Sequence, residues 1–405
     1  MNPTAPKDPA AAAAAAAPLR ASLRCPICRH ELRAAADVLV CLASPDHAFP
    51  VVRGVPVLIH DGNSVFSVAE LAAKNPTFFA PPSDSALIRF ARRLLPSDGV
   101  NVTATQNFRV VAERLLAGTD APRVLVIGGS IDGEGIGALT TNARIALVHT
   151  DVAWGPRVNV LCDIHNLPFA DGSFDAVIAQ AVLEHVVDPV AGVAEIARVL
   201  KPAGIVYAET PFMQQVHGGR YDFTRFTFLG HRRLFRQFEE IASGACCGPG
   251  MALGWAWQFF LTSFATGRTS RRALTFFARW TSFFLKYFDF FLVHRPRALD
   301  AASGYYFIGK KSDTPLTDRE LLALYDRVEG RQIHRRHDTR ITIVPSHLAP
   351  GAKVMSPEST PRAARCTASV VHVYGSRQMT GRESGAKITH SRKAPDAEIV
   401  MATSP

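Results

Sequence analysis

A chain of 405 residues has room for one large domain and a small companion, and 47% hydrophobic with 20% charged residues is an ordinary globular composition. The net charge of +10 favours anionic contacts, nucleic acid or lipid headgroups, without choosing between them. Seven irregularly placed cysteines exclude a disulfide framework and fit a reducing, cytoplasmic setting, and no run of about 18 uncharged apolar residues would span a bilayer.

Residues 1–21 read as a disordered leader, because the alanine run Ala10–Ala17 lies between Pro9 and Pro18 and lacks the basic start and Leu-rich core of a signal peptide. Residues 22–62 form a distinct module. Cys25-Pro-Ile-Cys28 brings two thiolates to one point, and Cys41 follows with twelve residues between. Ser44 stands where a second CxxC would put cysteine, and His47 lies three residues on. Cys25, Cys28, Cys41 and His47 would make a Cys3His set, whose thiolates and imidazole suit zinc. The alternative is a metal-free module held together by its apolar strand. Ala48 to Ile59 resembles the closing strand of the Trm112-like zinc-ribbon family, which accompanies methyltransferases.

Residues 63–120 read as a helical connector. Phe66–Ala73 and Ala86–Leu95 have helical spacing, broken by Asn75-Pro76 and Pro81-Pro82, and Arg109–Leu116 predicts the helix before the first core strand. That strand is Arg123-Val-Leu-Val-Ile, a buried apolar run ending in Gly128-Gly129. Ser130 to Gly137 keeps side chains small where a backbone must approach a ligand closely. Asp151 closes a second apolar run, 23 residues beyond Gly128, near the offset of about 20 at which a strand-end carboxylate accepts ribose hydroxyls. Val158–Cys162 leads to Asp163, and Phe174–Ala179 leads to Leu183-Glu-His185. Four strand ends, each with a polar group, predict one crevice along the carboxyl edge of a sheet.

The glycine turn, Asp151, Asp163-Ile-His-Asn-Leu-Pro-Phe-Ala-Asp-Gly-Ser-Phe-Asp175, Leu183-Glu-His185 and Val199-Leu-Lys-Pro-Ala-Gly204 together resemble a class I S-adenosylmethionine-dependent methyltransferase of the small-molecule subgroup. Thr210 to His217 and Tyr221 to Thr227 resemble a further motif pair of that subgroup. The resemblance implies an α/β fold, a Rossmann-like, mostly parallel sheet with helices on both faces, over residues 121–312. It also assigns S-adenosyl-L-methionine as cofactor. Gly128, Gly129 and Ser130 would hold its methionine end, Asp151 its ribose, and Asp163 with Ile164 its adenine, with Gln180 also on the cofactor side. Most relatives carry an acid where Val126 stands, and Asp132 or Glu134 could replace it from the loop. His217 and His185 are candidate general bases with near-neutral pKa. Asp222 and Arg225 fall in the substrate-side motif, where Arg225 could clamp a carboxylate or phosphate.

Residues 251–297 read as an aromatic and basic helical insertion. Phe276-Phe277, Phe283-Phe284 and Phe290-Phe291 recur every seven residues, as do Arg272, Arg279 and Lys286, and Asp289 is the only acid there. Such a helix either lies on an anionic membrane surface or packs its aromatic face on the sheet. Ser303 to Lys310 is the last core strand, and residues 313–405 read as a short helix at Leu316–Val328 and a disordered tail. The expected activity is methyl transfer to oxygen of a small-molecule, lipid-linked or glycan-linked acceptor. A non-catalytic scaffold and an RNA methyltransferase are the alternatives. Against RNA, the fourth strand continues Gln180-Ala-Val-Leu-Glu-His and not into Asn/Asp-Pro-Pro-Tyr.

Overall fold

The structure, a computed structural model, describes residues 19–73, 97 and 99–329. The expected helix at 86–95, most of the leader and the tail beyond 329 lie outside the described residues. Eleven strands occur among those described: β1 (Leu32–Ala35), β2 (Val38–Cys41), β3 (Ala48–Val52), β4 (Val55–Leu58), β5 (Arg123–Ile127), β6 (Ala146–Asp151), β7 (Val158–Cys162), β8 (Phe174–Gln180), β9 (Leu200–Pro211), β10 (Phe238–Cys247) and β11 (Gly304–Lys311). They form one sheet in the order β1-β2-β3-β4-β7-β6-β5-β8-β9-β11-β10. The strands from β4 to β9 pair in parallel, and both flanks are antiparallel. The chain runs outward from β5 to β7 on one side and from β8 to β9 on the other. The switch point between β5 and β8 is where such a sheet opens a crevice beyond its carboxyl ends.

Strand residues alternate between two buried clusters, which is why the central runs read as continuously apolar. Leu125, Ile127, Val177, Val206 and Phe307 join the cluster on one face, and Val124, Val126, Ile178, Tyr207 and Ile308 the cluster on the other. The second face is covered by α2 (Ala104–Gly118) and α3 (Gly137–Thr140), through Phe108, Val111, Leu115 and Leu139. The first is covered by α4 (Pro189–Val199) and also by the N-terminal segment, through Leu23, Cys25, Leu39, Cys41 and Phe49. Asp188 starts α4 by accepting the N–H groups of Val190 and Ala191, with Pro189 in the first turn.

Two expectations change here. The single closing strand over 48–59 is a hairpin, because Arg53 (φ 53°) and Gly54 (φ 80°) turn the chain in the left-handed region. Its second strand, β4, adds in parallel to the edge of the central sheet, pairing Val57 with Leu161 and Leu58 with Cys162. A short helix, α1 (Val68–Ala72), follows, opened by a Ser67–Glu70 capping box.

The aromatic insertion is not one helix. After α5 (Phe228–Leu234) and β10 come α6 (Pro249–Thr262), α7 (Arg268–Ser282), a 3-10 turn at Leu285–Phe288 and α8 (Asp289–Leu292). The basic stripe turns partly inward: Arg279 donates to Gln258 of α6, and Lys286 is buried with Nζ donating to the Ser97 carbonyl at 2.6 Å. Asp289 is fully buried and accepts the N–H groups of Gly248, Gly250 and Met251, so the end of the insertion caps the start of α6. The last described helix is α9 (Asp318–Glu329).

Candidate functional site

Beyond the carboxyl ends of β5, β6, β8 and β9 lies a cleft of about 530 Å³. Gly128 leaves β5 at φ +75°, in the region glycine tolerates. A Cβ there would come 2.5 Å from a Val182 methyl, and a Cβ at Gly129 2.8 Å from His149 Nδ1, so the turn closes only with glycine. Asp151 ends β6 with its carboxylate accepting from Ser130 N at 2.8 Å and Ala153 N at 2.9 Å. Burial raises its pKa against those donors. Gln180, at the tip of β8, donates to Glu209 at 2.9 Å and to the Glu134 carbonyl at 3.0 Å. The next residue, Ala181, sits at φ +54°, a strained backbone at the cleft wall.

Gly128, Ser130, Asp151, Gln180, His185 and His217 all line this cleft, as do Asp132 and Glu134 from the glycine loop. Asp132 is held by Arg157 at 2.8 Å. Val126 is a core residue. Asp163 and Ile164 depart from expectation. Both sit at the end of β7 outside the cleft lining, and the Asp163 carboxylate is taken by His165 Nδ1 at 2.6 Å and Ser64 Oγ at 2.5 Å. The reason is β4: by pairing with β7 it leads the segment bearing Ser64 past that strand end. Asp222 and Arg225 pair with each other. Asp222 also accepts from His217 N and Gly218 N, and Arg225 donates to the Gln214, Gln215 and Thr224 carbonyls, so the pair braces the loop that carries His217. Burial alone would raise the Asp222 carboxyl, but Arg225 and the two N–H donors pull it well below its ordinary value.

The sequence reading missed Asn101, Glu209, Thr210 and Ser303, which also line the cleft. Glu209 is buried on β9 and receives Tyr207 Oη, Gln180 Nε2 and, at 2.8 Å, Asn101 Nδ2, while its burial raises its pKa. An acid in the apolar run Ile205-Val-Tyr-Ala-Glu209 was the available signal. Several polar atoms of this lining are buried without a hydrogen-bond partner among the described residues: Gln180 Oε1, both Glu184 carboxylate oxygens, Thr210 Oγ1 and Ser303 Oγ. Buried polar groups are normally satisfied, so a row of open ones along one cleft is what a polar ligand would complete.

A second cluster lies in the N-terminal segment. Cys28 Sγ is 3.4 Å from Cys41 Sγ, and His47 Nδ1 is 3.6 Å from both Cys25 and Cys28 Sγ. All four donor atoms fall within 4.8 Å of one another. Donors about 2.0–2.3 Å from a tetrahedral zinc ion stand roughly 3.5–3.8 Å apart, so this set fits one ion.

A family model described as methyltransferase domain matches residues 137–208. A Mycobacterium tuberculosis protein described as a probable S-adenosylmethionine-dependent methyltransferase is 32% identical over 148 residues, 34% of this chain and 53% of that protein. An uncharacterized chloroplastic methyltransferase of Arabidopsis thaliana is 44% identical over 105 residues, 22% of this chain and 27% of that one. The chain thus spans about half or less of these curated relatives. Among solved structures, Haemonchus contortus phosphoethanolamine N-methyltransferase 2 in complex with S-adenosyl-L-methionine matches 51% of this chain and 53% of that one, at 16% identity and a TM-score of 0.34. In this Rossmann-like α/β protein, the stretch similar to the methyltransferase-domain model runs from the start of α3 into β9.

Proposed function

We propose that the chain is an S-adenosylmethionine-dependent methyltransferase acting on oxygen of a lipid-linked or other small acceptor. The observation that carries this is the row of open polar atoms on Gln180, Glu184, Thr210 and Ser303, in one cleft with Asp151 and the Gly128 turn. Bound there, the cofactor supplies a methyl group already activated by its sulfonium, so the protein's task is alignment. Asp151 is the acceptor for ribose hydroxyls, and the Gly128–Ser130 turn brings backbone close to the methionine end. Glu134 and Asp132 supply the negative charge that Val126 lacks. Asp163 and Ile164 serve by shaping the β7 end, since Ser64 and His165 already fill the carboxylate. His185, in the 3-10 turn after β8, and His217, on the loop braced by Asp222 and Arg225, lie on the acceptor side.

The acceptor class is inferred from α6. Its first turn lines the cleft through Met251, and Trp255 stacks edge-on to His217 with ring centroids 6.0 Å apart. Further along, Phe260 and Phe264, then Phe276, Phe277 and Trp280 of α7, are 48–67% exposed beside Arg271 and Arg272. Exposed aromatics next to arginines suit the interface of an anionic bilayer, and α6, which starts at the cleft with Met251 and runs toward them, suits a lipid-linked acceptor. No helix among the described residues is long and apolar enough to cross a membrane. The cysteine cluster is read as a structural zinc site.

The test is calorimetric binding of S-adenosylmethionine, followed by labelled methyl transfer to cell extract separated into lipid, RNA, protein and small molecules. Heat of binding with label in the lipid fraction supports the proposal. No heat leaves the non-catalytic scaffold, and label in RNA that fades with salt would instead support RNA methylation.

A further inference from the structure

Glu184 is an anomaly in the cleft. It sits in the 3-10 turn Leu183–His185 with 0% of its surface exposed, and among the described residues neither carboxylate oxygen receives a hydrogen bond. A buried carboxylate left bare is costly unless a cation accompanies it. Two imidazoles face it: Nε2 of His217 stands 3.8 Å, and Nε2 of His185 3.9 Å, from Glu184 Oε1. These separations are too long for hydrogen bonds. They match the roughly 3.0–4.2 Å between two ligands that each lie about 2.1 Å from a shared ion.

The rest of each ring supports the same reading. His185 Nδ1 lies 2.9 Å from the Tyr221 carbonyl and His217 Nδ1 3.2 Å from the Gln215 carbonyl. With Nδ1 of each ring facing a carbonyl oxygen, Nε2 is the nitrogen turned toward Glu184, the arrangement found in metal-bound histidines. Arg225 Nη2 also approaches His217 Nδ1, at the longer distance of 3.4 Å. Gly218 makes room for the His185 ring, since a Cβ there would fall 2.5 Å from Nδ1. The three donor atoms all lie within 4.8 Å of one another, so a small side-chain rotation brings them onto one point.

We propose that Glu184, His185 and His217 hold a divalent transition-metal ion at the acceptor side of the cleft. Two imidazoles and one carboxylate suit Mn2+, Fe2+, Co2+, Ni2+ or Zn2+ better than Mg2+, and leave coordination positions open. All three side chains line the same cleft as Asp151, so the open positions are available to an oxygen of the acceptor. That last role rests on the methyltransferase reading, but binding of the ion does not.

The test uses the full chain with its cysteine cluster loaded with zinc and excess metal removed. Mn2+, which avoids thiolates, is titrated in and the free ion read by electron paramagnetic resonance. One bound Mn2+ per chain is expected, with affinity falling at least about tenfold in Glu184→Gln and in His217→Ala. His217 is on a loop and partly exposed, so its variant decides the matter if Glu184→Gln fails to fold. No binding at millimolar Mn2+, or equal binding by wild type and the folded variants, overturns the proposal. S-adenosylmethionine calorimetry on the same samples keeps the two ideas apart. Mn2+ binding without cofactor binding removes the methyltransferase reading and keeps the ion site, and the reverse result removes the ion site alone.

Discussion

At the scale of single residues, the cleft depends on a few groups with no substitute. Asp151→Asn keeps the shape of the side chain and removes its charge. Hydrogen bonds to a charged group contribute about 1.5–3 kcal/mol, so S-adenosylmethionine affinity should fall roughly ten- to a hundredfold in calorimetry. Since Ser130 N and Ala153 N use both carboxylate oxygens, the amide also leaves one of them without an acceptor and should lower the melting temperature. Gly128→Ala should lower stability by about 1–2 kcal/mol in urea denaturation, because φ +75° is costly for any residue with a Cβ and Val182 already occupies the space. The His165–Asp163 pair predicts a pH effect. The hydrogen bond to Asp163 raises the His165 pKa. Its stabilisation is therefore fully present below the ordinary imidazole value of about 6.5 and is lost as pH rises through the elevated folded value. Wild type should lose urea resistance over that window relative to His165→Asn, and parallel pH profiles would show that the pair carries no such linkage.

At the scale of elements, local sequence explains where helices begin and tertiary contacts explain which of them last. The α4 start is legible from Asp188-Pro189, and α1 from Ser67 with Glu70. The start of α6 is not, because Gly248 offers no side chain and the cap comes from Asp289, 41 residues later. Asp289→Ala would strand three buried N–H groups, at about 1–3 kcal/mol for a lost acceptor, and should lower the thermal midpoint and loosen α6 to proteolysis. The N-terminal strands make a parallel case. Cys41 contributes both to the thiol cluster and to the core beneath the sheet. Once loosely held metal is removed, wild type is expected to carry one zinc per chain, in the cysteine cluster, by atomic absorption. Cys41→Ser should release it and lower the melting temperature, and equal metal content in both would remove the zinc reading.

For the whole molecule, surface chemistry carries the membrane idea. Each basic residue near an anionic surface contributes roughly 1 kcal/mol, so Arg271→Gln with Arg272→Gln should weaken binding to phosphatidylserine vesicles by roughly thirtyfold at low salt. If sedimentation shows no vesicle binding by wild type, the aromatic face of α6 and α7 needs another explanation. The regular seven-residue pattern suggested one helix as far as Phe291, but α7 ends at Ser282, and beyond it Lys286 and Asp289 turn inward to Ser97 and to the start of α6.

The positions of the central strands along the chain, the glycine turn, Asp151 at its strand end and the grouping of Cys25, Cys28, Cys41 and His47 were legible in the sequence, because each is written in local periodicity or short spacing. What needed the tertiary structure was every relation between distant segments. Pairing of β4 with β7 brings Ser64 to Asp163 and removes that carboxylate from the cleft, and bracing by Asp222 and Arg225 sets His217 opposite Glu184. Spacing along a chain specifies which groups are near neighbours on one element. Which groups meet across elements is decided by the packing of the sheet and its loops, where burial and hydrogen-bond satisfaction select among arrangements that the local pattern leaves equal.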